Sequence, residues 1–370
     1  MQINVRRLFA SVLTLGVIAG GIAGCGEEAG VDSGSGASPF APGAVQAPRP
    51  KFGSMVIANR GSGTISVLDA ANGEVLGTYD LPAGANPPEP MYVVHVGRTG
   101  AVLVGDRAND RVVEFDDESF AVLRTAPTGA GVFHMWADPV RNSQLWVNND
   151  VDNTTTVIDP QTFEILATVP MPADLVAMGG KPHDVILDPL GKYAYVTMIG
   201  VAGPNDFVVQ FSTGNYMEVA RAAVGKDPHV SLTPRNNLLY VPCQNSNVVI
   251  VLNRSNLEMV TEIAVPGAHG AYMTRSGKTF YTSNLPGGGT DALFAIDTSG
   301  NVVVGEATDS PYPVPHNIAI TTNGQRLFLT HSGGASDKVT FYEISAANPN
   351  PVLLGEATVG LNPFGLALVP

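Results

Sequence analysis

Seven histidines occur in the 370-residue chain, and their spacing is regular. His134, His183, His229, His269 and His316 follow one another at intervals of 49, 46, 40 and 47 residues. Four of them open related runs: "GGKPHDVILDPLGKYAYVT", "KDPHVSLTPRNNLLYVP", "VPGAHGAYMTRSGKTFYTS" and "YPVPHNIAITTNGQRLFLT". Neutral imidazole is the commonest side-chain metal ligand, and several imidazoles brought together have few other uses. His95, in "EPMYVVHVGRTGAVLV", is a weaker member because it sits late in its run. His331 belongs to a second set, at the slot also held by Met198, Cys243 and Asn284. Sulfur and imidazole near an imidazole ring would suit copper. The alternative is that duplication copied a histidine whose place is simply to line a water-filled channel. Cys243 taken alone reads as a small buried hydrophobe.

What must position these residues is a repeat of about 45 residues, the length of four short strands with their turns. In one unit, "HDVILDP", "KYAYVTM", "DFVVQFST" and "NYMEVARAAV" follow in order. Alternating β-branched and aromatic residues predict half-buried strands. Proline in nearly every unit argues against helices. The unit heads are Tyr92, Phe133, His183, His229, His269, His316 and Phe364, which makes seven. The last, "FGLALVP", reaches the end of the sequence with one strand, while "GSMVIANR", "GTISVLDA" and "EVLGTYDL" stand unassigned near the start. Pairing them closes the ring and removes two open sheet edges. The expectation is an all-β seven-bladed β-propeller over residues 51–370, with one head residue per blade at one mouth of the channel. The heads are not in one register: His183, His269 and His316 lie five residues before the equivalent of Asp188, whereas His229 and His134 lie four before theirs. A shift of one turns a side chain to the other face unless a bulge absorbs it.

The run P-H-x-x-x-x-x-P-x-G-x-x-x-Y-V-T resembles the repeat of YVTN-type seven-bladed propellers, across all seven units. "KDPHV" and "GKPHDVILDPLGKYAYV" also resemble the ligand-bearing strand heads of nitrous oxide reductase and thiocyanate dehydrogenase. That second resemblance implies copper at His183, His229, His269 and His316, with His134 and His95 less closely matched. There are departures. The chain has no His-His pair and no cupredoxin domain with paired cysteines, so the resemblance does not extend to a complete enzyme of that kind.

The start of the sequence addresses the compartment. Arg6 and Arg7 precede the apolar "LFASVLTLGVIAGGIAG", the plan of an export signal over residues 1–24. Ile22-Ala23-Gly24-Cys25 resembles a bacterial lipobox, which implies a lipid on Cys25. Gly26 after the cysteine favours the outer membrane, facing the periplasm, and Arg6-Arg7-Leu8-Phe9 resembles part of a twin-arginine signal. Residues 25–50 are rich in Gly, Ser, Ala and Pro and read as a flexible tether. The formal charge of −13 argues against nucleic acid as a natural partner, because phosphate binding needs a basic face. Lys181 and Lys226 sit close to head histidines and are candidate anion contacts, or else solvated loop lysines. "NNDVDN" (148–153) has oxygen ligands for calcium but reads better as a polar turn.

The sequence therefore predicts a lipid-anchored propeller whose histidines bind a transition metal, copper first, in redox or small-molecule chemistry. Two alternatives stand beside it. One is a non-catalytic scaffolding propeller with an envelope protein partner. The other is a propeller-type lactone or sugar hydrolase, which needs carboxylates at the mouth; Asp184 is the only acid directly after a head histidine. The anchoring is testable by fractionation. Cys25→Ser is expected to move the protein out of the membrane fraction, because acyl chains supply the affinity; equal membrane content in variant and wild type overturns the lipobox reading.

Overall fold

The computed structural model describes residues 50–232, 236–285 and 291–370. The signal segment, Cys25 and the tether up to residue 49 lie outside the described residues. The rest is all-β: seven sheets stand in a ring, six of four strands and one of five. In the five-stranded sheet the outermost position is shared by two short pieces, Val302–Val303 and Thr308–Asp309, paired with the same neighbour. Among the described residues, helix is confined to Ala173–Ala177 and to single turns at Arg107–Asn109 and Gln244–Ser246.

Each blade is an antiparallel meander, which short turns make possible. In chain order, the innermost strands of the first six blades are Pro90–Val96, Val132–Ala137, Lys181–Leu187, Ser231–Leu232, Ala268–Met273 and Pro315–Ile320. The seventh blade is composite. Its inner strand, Pro363–Val369, pairs with Ser54–Asn59, with Met55 opposite Leu368 and Ile57 opposite Leu366. The clasp continues past the sheet, where Arg60 and Gly61 donate backbone hydrogen bonds to the carbonyls of Asn362 and Leu361. The ring closes by the pairing the repeat count requires.

The strands are buried differently from a simple alternation. Second strands such as Ser54–Asn59, Ala101–Asp106 and Thr279–Asn284 are buried along their whole length. Each blade is packed between two others, so a middle strand has no solvent face. Tyr195, Tyr240, Tyr281 and Phe328 fill these inter-blade layers. Alternation survives in the outer strands, as in Val122–Pro127 and Met259–Ala264, where most residues stay exposed.

Removing residues 360–370 deletes the inner strand of the closing blade and bares the edge of Ser54–Asn59. Phe364 and Val369 are buried, and each is worth about 1.5–3 kcal/mol. The loss is a large share of a net stability of about 5–15 kcal/mol. Aggregation or a broadened, lowered thermal transition is expected; a truncated soluble monomer with an unchanged melting temperature would show that the clasp is dispensable.

Candidate functional site

The register puzzle is resolved by a bulge at the head of the inner strands. Pro182 pairs with Met198 and Val185 with Val196, so His183 and Asp184 together face Thr197. The same irregularity occurs at Phe133–His134, His269–Gly270 and His316–Asn317. The freed amide in three blades finds a hydroxyl: Asp184 N–H donates to Thr197 Oγ1 (2.8 Å), Gly270 N–H to Ser283 Oγ (3.0 Å) and Asn317 N–H to Thr330 Oγ1 (3.1 Å). Blade four has no bulge, since Pro228 bridges Cys243 and Ser231 pairs with Tyr240 in simple register. This is why His229 reads one residue short.

Second-strand groups also reach the next blade. Ser283 Oγ donates to the carbonyl of His316 (2.6 Å), Thr330 Oγ1 to that of Phe364 (2.8 Å) and Asn148 Nδ2 to that of His183 (2.9 Å). The approach is close enough that a Cβ on Gly270 would collide with the His316 carbonyl oxygen. Glycine is required there by space, not by backbone angle.

The result is a closed ring of side chains across one end of the channel. Centroid separations run 4.7 Å from Phe133 to His183, 4.8 Å to His229, 3.8 Å to His269, 4.7 Å to His316 and 4.3 Å to Phe364. Tyr92 completes the circle, 5.5 Å from Phe364 and 5.8 Å from Phe133. His134, the second residue of its bulge, sits behind this ring against Tyr92 at 4.2 Å.

The ring is also polarised by charge. The Asp184 carboxylate lies 3.3 Å from both His183 Nδ1 and His229 Nδ1. Burial works against its charge, but the fields of His134 and His229 and the contacts with His183 and His229 hold its pKa well below the usual carboxylate range. Burial also opposes charge on His229, yet Asp184 and Asp227 outweigh it and raise its pKa. The others go the opposite way. Burial, aided by the neighbouring imidazoles, lowers His269 well below its ordinary value and His316 to about 3, while His134 falls to about 4.

Hydrogen bonds then sort the neutral imidazoles by tautomer. His269 Nδ1 faces the Gln244 carbonyl oxygen at 2.9 Å, so Nδ1 carries the proton and Nε2 keeps its lone pair. His316 Nδ1 accepts from the Asn317 amide at 2.7 Å, and His134 Nδ1 accepts from the Val185 backbone N–H at 3.2 Å. Both are thereby left as N–H donors through Nε2. His183, His229 and Asp227 each offer one ligand atom, all within 4.8 Å of one another, a group able to hold a metal ion. His229 Nε2 is buried without a hydrogen-bond partner, 4.0 Å from Asp227 Oδ1. The His183 and Asp227 side chains keep 14% and 24% of their surface, which opens the group to the outside of the ring.

The remaining predicted residues lie elsewhere. His95 is near the far end of its strand, bonded to Asp117 at 2.9 Å, and takes no part in the ring. His331 is buried at the end of a second strand, its Nε2 against Thr340 Oγ1 at 2.9 Å. Lys226 is committed to Asp206 (2.7 Å) and the Val201 carbonyl (2.6 Å), so it is not an open anion contact. Lys181 is exposed at the start of its strand. Cys243 is fully buried among apolar side chains, and burial pushes its thiol up to about 12. In the 148–153 turn, Asp150 pairs with Arg107 and Asp152 accepts from Ala130 N–H, so its oxygens serve the turn itself. Sequence reasoning missed Asp227 as a candidate ligand. The signal was the tripeptide Asp-Pro-His, with Asp227 in the left-handed region (φ 58°), where few non-glycine residues settle.

No family model matches the chain, and no curated protein matches it. Solved structures similar to it share the propeller. Periplasmic gluconolactonase of Pseudomonas aeruginosa is 15% identical with a TM-score of 0.66, over 86% of this chain and 99% of that one. Hydrazine synthase of Kuenenia stuttgartiensis is 14% identical with a TM-score of 0.63, over 76% and 90%. Dihydro-heme d1 dehydrogenase is 14% identical with a TM-score of 0.60, over 87% and 77%. Identities this low establish a common fold and leave the chemistry to the site itself.

Burial pushes His331 down to about 4, so it is neutral when folded and protonates at about 6.5 when unfolded. Stability is full above that value and falls as the pH drops towards 4, by about 1.4 kcal/mol per pH unit for each such histidine. Chelator-treated protein is expected to lose stability steeply from pH 6.5 to 4.5, with His134, His269 and His316 adding to the slope. Denaturant unfolding of His331→Gln across that range should show a slope shallower by about one proton; an unchanged slope contradicts the assignment.

Proposed function

We propose that this chain is a metal-binding β-propeller of the cell envelope, with copper held at His183, His229 and Asp227. The observation that carries the reading is the convergence of three ligand atoms on one point, with buried His229 Nε2 left unpartnered. A buried polar atom without a partner in a native structure calls for an explanation, and an ion is one. His269 adjoins the group with its Nε2 lone pair available, whereas His316 and His134 are held as donors by their own partners. Imidazole with one carboxylate is a borderline donor set, and copper heads the affinity order for such ligands.

The chain's own residues prepare this site. Asp184 lies against His229 Nδ1 at 3.3 Å, in the way carboxylates orient metal-ligating imidazoles. Gln244 fixes His269, and Phe133, Phe364 and Tyr92 keep water from the rest of the ring. A bound copper ion would supply redox capacity and polarisation for a small molecule. The export signal and lipobox-like Cys25 support a lipid anchor on the periplasmic side, and the resemblance to copper-binding strand heads supports the choice of ion.

The test is elemental analysis of protein purified from the periplasmic side without a histidine tag, then dialysed at neutral pH. Wild type is expected to retain a transition metal, His183→Ala/His229→Ala to lose it, and His316→Ala to retain most of it. Retention should fall below about pH 6, because a ligating imidazole must be neutral. If wild type holds no transition metal, or the His183/His229 variant holds as much, the scaffolding reading replaces this one.

A further inference from the structure

The side of the histidine ring away from Asp227 faces a cavity that the metal reading does not use. This space, about 380 Å³, is lined at its blind end by His134, Asp184, His229 and Asn317. Its wall is Trp136, Ile186, Val230 and Tyr272. A wider space of about 710 Å³, at the far ends of the inner strands, shares Trp136, Tyr272 and Arg275 with it and adds Arg98. The two make a tube with three zones: a polar end, an aromatic wall and a cationic mouth.

Each zone restricts the ligand. At the blind end, Asp184 is nearly fully buried with its Oδ1 closed off against His183, so the polar group that meets the cavity is half-buried His134, held as an N–H donor through Nε2. An N–H donates, so the matching ligand group is a hydroxyl or other acceptor oxygen. The walls favour a flat aromatic body, which stacks on Trp and Tyr faces. At the mouth, Arg98 and Arg275 are exposed guanidiniums on a protein of net charge −13. The acidic side chain there, Asp138, is occupied by Val140 N–H, Arg141 N–H and Ser143 Oγ of its own loop. Pro370 also lines this mouth. Guanidinium recognises carboxylate by paired, charge-assisted hydrogen bonds.

We infer that the channel binds a small aryl carboxylate with a hydroxyl at its far end, entering through the Arg98–Arg275 mouth, ring against Trp136 and Tyr272, hydroxyl on His134. The inference goes beyond the metal reading and does not require an ion. Both cavities lie in the protein whether or not His183 and His229 hold metal.

The probe is 3-(4-hydroxyphenyl)propanoate, titrated calorimetrically into chelator-treated full-length protein at pH 7. The acid is expected to bind, its methyl ester about tenfold or more weaker, and 3-phenylpropanoate weaker than the hydroxylated acid. Arg98→Gln/Arg275→Gln, at exposed rim positions, should weaken the acid about tenfold and leave the ester unaffected. Absence of binding at millimolar acid overturns the proposal, as does an ester as tight as the acid or an unchanged affinity in the arginine variant. Metal content is measured on untreated protein, so failure here leaves the copper site standing, and failure there leaves the channel ligand standing.

Discussion

The structure depends on one junction repeated around the ring: the bulged head of an inner strand, tied to the blade before it. Here a buried hydroxyl or amide from one blade captures the head carbonyl of the next, at His183, His316 and Phe364. A buried carbonyl left without a donor costs about 1–3 kcal/mol, so each link discourages its blade from sliding. The bulge pushes two successive residues out of the ladder, and each finds a different place. At Phe133, His183, His269, His316 and Phe364 the first enters the ring across the channel, and the second faces the cavity behind it or, at Gly270 and Gly365, gives its space to a neighbouring backbone; in the first blade Met91 is buried in the core and the second residue, Tyr92, joins the ring.

Packing then sets the electrostatics. Imidazoles crowded this tightly cannot all charge, since burial and mutual repulsion both oppose it. One carboxylate, Asp184, gathers what charge the cluster accepts around His229 and leaves His269 and His316 neutral. Neutrality keeps lone pairs available, and the hydrogen-bond partner of each ring decides which nitrogen holds its own. Gln244 and Asn317 therefore matter as much as the histidines: they make His269 a potential ligand and His316 a donor.

The channel has two unlike ends. One is closed by the ring, with Asp227 and His183 partly open to solvent. The other is an open mouth with arginines over an aromatic wall. Asp184 lies at the boundary, touching two imidazoles on one side and lining the cavity on the other. In the reading proposed above, one buried carboxylate thus connects a metal site and a ligand channel.

The repeat period, the seven heads and the unassigned N-terminal strands were legible in the sequence, because each blade is a local meander whose turns and apolar runs are written consecutively. Closure was legible for the same reason: one strand was left over at one end and three at the other. The gathering of His183, His229, His269 and His316 at one mouth also followed from repetition. Which of them are set to ligate did not, because that rests on partners far apart in sequence: Gln244 for His269, and His134 with Val185. His95 looked like a head residue because it stands in the right repeat, yet three positions beyond Tyr92 it is at the other end of its strand, beside Asp117. Lys226 looked free until folding placed Asp206 next to it. Sequence by itself determined the architecture, since that follows from periodic local patterns. Tertiary structure decided the chemistry, since pKa, tautomer and ligand geometry depend on which atoms of different blades come within about 3–5 Å of each other.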